Sequence, residues 1–260
     1  MRRAGARCAV IHSRSGYGAP VQRAGVDVVA EGVSVRGPMG PVFENVSTAV
    51  PVGGALLVRG PAGSGRTSLL LALSGRMRFV SGAVRVGPHL LPAESAAVRG
   101  LVAIARANPA CFLEERLRVA DLVAERCWID RVPESAVRAS LERLELDLPG
   151  KALVDELDPA AATLLSLALA TAREPGAVVV DEPDAGCGPA GRARVLDGLA
   201  RVRQAGTTVL TSGTGPGEHF ADAEVVELPQ RSAERLAESG RDRGAENGDG
   251  RTGDGETGAE

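Results

Sequence analysis

The sequence has very little lysine and few aromatic side chains. Lys151 is its single lysine, and phenylalanine, tryptophan and tyrosine together make up 2% of the 260 residues. Basic and acidic residues almost balance, with 30 Lys+Arg against 33 Asp+Glu and a formal net charge of −3. Nucleic-acid-binding proteins usually combine a basic surface with aromatic side chains that stack on bases. The composition therefore predicts no nucleic-acid partner.

The cysteines and histidines have neither metal-binding nor disulfide spacing. The four cysteines and three histidines are scattered along the chain, without a CxxC pair. Because zinc sites need closely spaced pairs of these ligands, we predict no zinc site and a reducing compartment. No apolar run approaches the roughly 18 residues that a membrane-spanning helix needs. We therefore expect a cytoplasmic protein.

The hydrophobic residues, 44% of the chain, suffice for a globular core between two polar ends. Residues 1–24 mix arginine, glycine and serine without apolar periodicity, and residues 231–260 contain eight acidic residues, five arginines and seven glycines. Such segments bury too little apolar surface to offset the entropy lost on ordering. We predict flexible tails at 1–24 and 231–260 around one domain at 25–230. A role as an interaction arm is the alternative for the second tail.

Apolar patterns inside this domain alternate between strand and helix. Strands are predicted at residues 26–35, 43–50, 55–59, 84–86, 101–105, 177–180, 207–211 and 224–228, and helices at 66–74, 117–126, 135–144, 162–173 and 190–204. The segment AVVV at 177–180 is apolar on both faces, which is typical of a central parallel strand. The pattern predicts an α/β fold with an antiparallel β layer near its start and a helical insertion at about 107–175.

A glycine-rich loop lies between the strand at 55–59 and the helix at 66–74. Its sequence GPAGSGRTS follows the phosphate-binding pattern G-x-x-x-x-G-K-[ST], with arginine in place of lysine. Glycines permit positive φ angles, so several backbone N–H groups can point at one anion beside the positive end of a helix. The predicted nucleotide-binding residues are Gly60, Pro61, Ala62, Gly63, Ser64, Gly65, Arg66, Thr67 and Ser68.

Arg66 is the departure from that pattern. Its planar guanidinium is bulkier than the ammonium of lysine. We expect the backbone amides to keep phosphate binding, whereas the placement of the phosphate in the transition state should suffer. A glycine-rich turn that merely caps an ordinary helix is the alternative interpretation of the loop.

Two carboxylates follow the strand at 177–180. Asp181 and Glu182 come directly after its last valine, at the sheet edge where α/β folds bind ligands. We predict that Asp181, through water, and the hydroxyl of Thr67 hold Mg²⁺, and that Glu182 is the catalytic residue that polarises the attacking water. An acidic cap on the strand end is the alternative.

Together these motifs resemble the nucleotide-binding domain of ATP-binding cassette (ABC) transporters over about residues 26–229. The family reads GPxGSGKSTLL, a helical insertion, LSGGQ and a hydrophobic strand ending in DEP. This chain reads GPAGSGRTSLL and, from residue 157 to 183, LDPAAATLLSLALATAREPGAVVVDEP. The resemblance implies a P-loop NTPase core with an N-terminal antiparallel β subdomain and an inserted helical subdomain.

The same resemblance implies cofactors, partners and a location. It implies ATP and Mg²⁺ as cofactors, with Asn108 near the family's lid glutamine as a further Mg²⁺ ligand. It also implies a separately encoded membrane permease as a partner. The chain itself is expected to pair with a second copy or with another cassette subunit, and to lie peripherally at the inner face of the cell membrane. The expected activity is ATP hydrolysis coupled to that permease.

Several motifs differ from the family pattern. The signature Ser-Gly-Gly-Gln, which in the family grips the γ-phosphate of ATP on the opposite subunit, aligns with Asp158, Pro159, Ala160 and Ala161, and the switch histidine aligns with Thr214. Asp158 would direct a negative charge at that phosphate. The resemblance thus implies a degenerate cassette with weak hydrolysis. Two alternatives are a non-hydrolysing nucleotide-sensing or structural module and another P-loop enzyme, such as a small-molecule kinase.

Overall fold

The computed structural model describes residues 25–38, 40–213 and 221–229. Its strands are β1 (Val28–Gly37), β2 (Gly40–Val50), β3 (Ala55–Arg59), β4 (Ser81–Val86), β5 (His89–Leu91), β6 (Val102–Arg106), β7 (Ala177–Val180), β8 (Thr208–Gly213) and β9 (Glu224–Glu227). Its α-helices are α1 (Arg66–Leu73), α2 (Ser95–Leu101), α3 (Val119–Asp130), α4 (Glu134–Arg143), α5 (Pro159–Thr171) and α6 (Pro189–Gln204). A short 3-10 helix, Val154–Glu156, precedes α5.

The strands form two sheets. One is antiparallel, in the order β2-β1-β4-β5, and the other has the order β6-β7-β8-β3-β9 with every pair parallel. Because neighbouring parallel strands end at the same edge, the segments that follow β3, β6, β7 and β8 all leave the sheet on one side. The glycine-rich loop and the Asp181–Glu182 pair are therefore neighbours in space.

The parallel sheet separates two hydrophobic cores. Val178 and Val180 of β7 face the core that contains α5 and α6. Val179, which points to the other face, packs in the core that contains α1 and the antiparallel sheet. Almost every residue of α5 is buried, because this helix packs against β6, α4 and α6. Coverage on both faces explains why the central strand is apolar throughout.

The α/β architecture predicted from the sequence is confirmed, including the antiparallel pairing of β1 with β2. The start of α5 is three residues earlier than predicted because Asp158 caps the helix and Pro159 occupies its first position. The apolar pattern does not predict β5 or α2. Three-residue β5 is too short to show periodicity, and its position depends on pairing with β4, where Leu91 lies opposite Val84.

The described residues contain neither a helix able to span a membrane nor a large cluster of metal-binding side chains. Over 25–38, 40–213 and 221–229, every helix is too short or too polar to span a bilayer. The same residues contain no group of three or more histidine, cysteine or acidic side chains that could hold a metal ion.

Candidate functional site

The loop of residues 60–68 joins β3 to α1. Gly63 and Gly65 have φ angles of 78° and 98°, a region that side chains with a Cβ rarely adopt. A Cβ on Gly65 would lie 2.9 Å from Cγ1 of Val42, so the loop passes too close to β2 for a larger residue. The structure thus explains the glycine at 65 by backbone conformation and by contact.

The loop leads directly into the positive end of α1. The first hydrogen bond of this helix runs from the Leu69 N–H to the Gly65 carbonyl at 2.9 Å, which leaves the preceding N–H groups of the first turn without an acceptor inside the helix. The hydroxyl of Ser64 is buried and has no hydrogen-bond partner among the described residues. Orphaned donors beside a helix N-terminus fit a phosphate group.

Thr67, Asp181 and Ser212 form a chain of hydrogen bonds below the loop. The Thr67 hydroxyl donates to Oδ2 of Asp181 at 2.6 Å, and the Ser212 hydroxyl donates to Oδ1. Asp181 is 5% exposed, and a buried carboxylate needs such partners. A carboxylate beside a threonine hydroxyl supplies the oxygen ligands that Mg²⁺ prefers. The two predicted metal ligands Thr67 and Asp181 are thus in direct contact.

Arg66 and Glu182 form a salt bridge across the same site. The Arg66 guanidinium donates to the Gly60 carbonyl and to Oε1 of Glu182. Arg66 is 7% exposed, whereas the Glu182 side chain is 47% exposed. Glu182 also has a φ angle of 45°, unusual for a residue with a Cβ. One oxygen of the predicted catalytic carboxylate is therefore bound to a cation instead of being free to accept a proton from water.

Asn108, the third predicted metal ligand, has no hydrogen bond to Thr67 or Asp181 among the described residues. The residue next to Asp181 at the end of β6 is Arg106, whose carbonyl accepts the Asp181 N–H at 2.8 Å. The Arg106 guanidinium turns away to Oγ1 of Thr163 at 3.0 Å. Asn108 lies two residues further on and lines a cavity of about 420 Å³ with Thr163. The end of the predicted strand at 101–105 is the signal that could have identified Arg106.

Asp158 caps α5, the helix that the family signature would begin. Its Oδ1 accepts the Ala161 N–H at 2.9 Å and its Oδ2 pairs with Arg194 at 3.3 Å. The hydrogen bond from Ala161, followed by the contact with Arg194, holds the pKa of Asp158 below its ordinary value. A carboxylate therefore occupies the helix N-terminus at neutral pH. Thr214, aligned with the switch histidine, lies outside the described residues.

Comparison with known sequences agrees with this geometry. The family whose description is ABC transporter matches residues 43–185. Similar proteins include the energy-coupling factor transporter ATP-binding protein EcfA2 of Bacillus licheniformis, 28% identical over 77% of this chain and 75% of its own length. The daunorubicin resistance ATP-binding protein DrrA3 of Streptomyces coeruleorubidus is 31% identical over 72% of this chain. The matched region is 62% of the length of DrrA3.

Solved structures show the same fold. The ADP conformation of MJ1267, an ATP-binding cassette of an ABC transporter, superposes with a TM-score of 0.66 at 18% identity, over 82% of this chain and 93% of that one. A nucleotide-free ATP-binding cassette gives a TM-score of 0.65 at 17% identity, over 78% and 87% of the two chains. With the glycine-rich loop, the DEP strand end and the matching sequences, these findings lead to one conclusion: the chain belongs to the ABC transporter family, as an ATP-binding cassette subunit.

Proposed function

We propose that this subunit binds MgATP at the edge of its parallel sheet. The observation that carries the proposal is the 2.6 Å hydrogen bond between Thr67 and Asp181, directly below a loop that fits a phosphate. In this proposal the residues 60–68 hold the phosphates through backbone N–H groups and the end of α1. Thr67 and Asp181 hold Mg²⁺, which supplies charge neutralisation of the phosphates when bound. Asn108 stays a weaker candidate, because no contact joins it to the other two.

Glu182 is proposed as the residue that orients and deprotonates the attacking water. Its carboxylate lies one residue from Asp181 and is half exposed, so water can reach it. The salt bridge with Arg66 opposes this role, because Oε1 is engaged and its negative charge is offset. We therefore propose slow hydrolysis, which accelerates when Arg66 leaves Glu182 for the phosphates.

A membrane permease and a second cassette are the proposed partners. The similar proteins carry names of ATP-binding proteins of transporters, and a subunit of this kind acts through a separate membrane component. We propose a peripheral position for the chain at the inner face of the cell membrane. Asp158 would weaken the contact between two paired subunits, since its carboxylate would face the negatively charged phosphate held by the opposite subunit.

The test of nucleotide binding is thermal stability in ATP with and without Mg²⁺. At 100 times its Kd, ATP should stabilise the fold by about 2.7 kcal/mol, which raises the melting temperature. Gly65→Val should abolish this rise because the new side chain would collide with Val42, and Thr67→Ala should remove its dependence on Mg²⁺.

Ser135→Ala is the control for these variants, because Ser135 lies on the exposed surface of α4. It should respond to MgATP as the unmodified protein does. If Gly65→Val and Thr67→Ala keep the full MgATP response, the assignment of the site is wrong.

A non-hydrolysing nucleotide-sensing module is the second candidate, and the Arg66–Glu182 salt bridge is the observation that favours it. ATPase measurements on Glu182→Gln separate the two. If the unmodified protein hydrolyses ATP and Glu182→Gln loses this turnover while it retains bound ATP, the result supports the hydrolysing enzyme. A turnover that is equally low before and after the substitution supports the sensing module.

A further inference from the structure

Ser212 stands between the two strands that carry the candidate site. β8 lies between β7 and β3, with Thr211 opposite Val180 and Ser212 opposite Val58. Ser212 is consequently level with Asp181 on one side and with the end of β3, which leads into the glycine-rich loop, on the other. It is 2% exposed, so its hydroxyl must find its partners within the protein.

The Ser212 hydroxyl makes two hydrogen bonds to the acidic pair. A serine hydroxyl has one proton to donate and two lone pairs that accept. It donates to Oδ1 of Asp181 and accepts the N–H of Glu182 at 3.0 Å. Because Thr67 donates to the other oxygen of Asp181, the carboxylate is held at both oxygens and cannot rotate without losing a partner.

Glu182 needs such support for its backbone. A φ angle of 45° is costly for a residue with a Cβ and persists only where surrounding contacts hold it. The bond from the Glu182 N–H to Ser212 is a contact of this kind. It directs the Glu182 side chain toward Arg66, across the mouth of the glycine-rich loop.

We propose that Ser212 is a positioning residue of the nucleotide site. Its hydroxyl aims the Asp181 carboxylate at the position of Mg²⁺ and sets the backbone from which Glu182 projects. This assignment rests on the proposed binding of MgATP. Alanine at 212 would leave Oδ1 of Asp181 without its hydroxyl donor and the Glu182 N–H without an acceptor, both inside a buried strand end.

The experiment is a titration of Mg²⁺ at fixed ATP, in which the melting temperature of the whole chain is measured at each Mg²⁺ concentration. Ser212→Ala should raise the Mg²⁺ concentration for half of the stabilisation about tenfold, the loss expected when a hydrogen bond to a charged group is removed. Ser212→Thr keeps the hydroxyl and should stay within about threefold of the unmodified protein.

Thr211→Val is the matched control. It removes a buried hydroxyl from the same strand, one that donates to the Leu56 carbonyl at 3.0 Å and does not contact the acidic pair. This variant should melt at a lower temperature without any change in the Mg²⁺ requirement. A purely structural role for Ser212 would give the same pattern as the control.

The outcomes separate this inference from the proposed function. If Ser212→Ala requires no more Mg²⁺ than the unmodified protein, Ser212 does not position the site. If Ser212→Ala is not recovered folded, Ser212→Cys replaces it, since a thiol has similar size but donates weakly, and the same shift is required. If the unmodified protein is not stabilised by MgATP at all, the proposed function fails and this assignment fails with it.

Discussion

At the scale of single residues, Arg66 joins the glycine-rich loop to the predicted catalytic carboxylate. Its guanidinium is buried and bonded to the Gly60 carbonyl and to Glu182. Arginine presents several donors in a rigid fork, so it can bind both acceptors at once. A lysine has one compact ammonium and cannot span two acceptors in the same way. The arginine that replaces the usual lysine of the glycine-rich loop therefore binds a carboxylate 116 residues away in the chain.

We predict that Arg66→Lys raises kcat for ATP hydrolysis by about tenfold or more, because Glu182 regains an oxygen that can accept a proton. Backbone N–H groups and the end of α1 hold the phosphates, so the Kd for ATP should change by less than about threefold. Steady-state kinetics on the two proteins measure kcat, and an ATP-binding titration measures Kd. A gain in kcat without a gain in affinity is expected for an interaction that strengthens in the transition state.

Arg59→Lys is the control for this substitution. Arg59 ends β3, just before the loop, and pairs with Glu227 at 3.0 Å on the opposite side of the strand end. It should leave both kcat and Kd unchanged. If Arg66→Lys abolishes hydrolysis, the Arg66 guanidinium is itself required for hydrolysis and the prediction is wrong.

At the scale of elements, α5 depends on its cap. The helix is apolar along almost its whole length and is buried between β6, α4 and α6. The backbone N–H groups of its first turn therefore need hydrogen-bond acceptors from outside the helix. Asp158 provides one by accepting the Ala161 N–H, and Pro159 follows at the first helical position. Asp158, which stands where the family signature has serine, thus has a structural role as the cap of α5.

We predict that Asp158→Ala lowers the free energy of unfolding by about 1 kcal/mol at neutral pH, the usual cost of losing an N-cap side chain. Because the pKa of Asp158 is held below its ordinary value of 3.8, the ionised cap stabilises the fold above that value. Its contribution should disappear as the pH falls through the lowered pKa.

Denaturant titrations at several pH values measure this difference. Asp158→Asn is the control, because asparagine caps helices about as well as aspartate and carries no titrating proton. An unfolding free energy of Asp158→Ala that equals that of the unmodified protein at neutral pH would contradict the role of the cap.

At the scale of the whole molecule, the described domain ends with an edge strand. β9 pairs with β3, and Val226 and Leu228 are buried against the sheet. Residues 1–24 and 230–260 lie outside the described residues, so the predicted tails and the domain boundaries at 25–230 stay predictions.

We predict that a protein cut to residues 25–232 melts within about 4 °C of the full chain, a shift equivalent to ~1 kcal/mol or less. A protein cut to residues 25–221 should melt far lower, because it loses β9 and its buried side chains. Thermal denaturation of the three proteins checks this, and an insoluble 25–232 protein would show that the ends take part in folding.

The sequence alone determined the local parts of this protein. The glycine-rich loop with its flanking strand and helix, the DEP strand end and most strands and helices could be predicted, because spacing and apolar periodicity are properties of short segments. The family could be predicted for the same reason, since its motifs are short and in order.

The sequence predicted that Thr67 and Asp181 lie at one site, and they are in contact, but only the tertiary structure decided the other side-chain contacts there. Strand order places β8 between β7 and β3, and this arrangement brings Ser212 to Asp181, 31 residues apart in the chain. It likewise sets Arg66 against Glu182 and places Arg106, ahead of Asn108, beside Asp181. Periodicity records which face of a strand is buried but not which strand is its neighbour, because pairing is settled by packing between segments far apart in sequence.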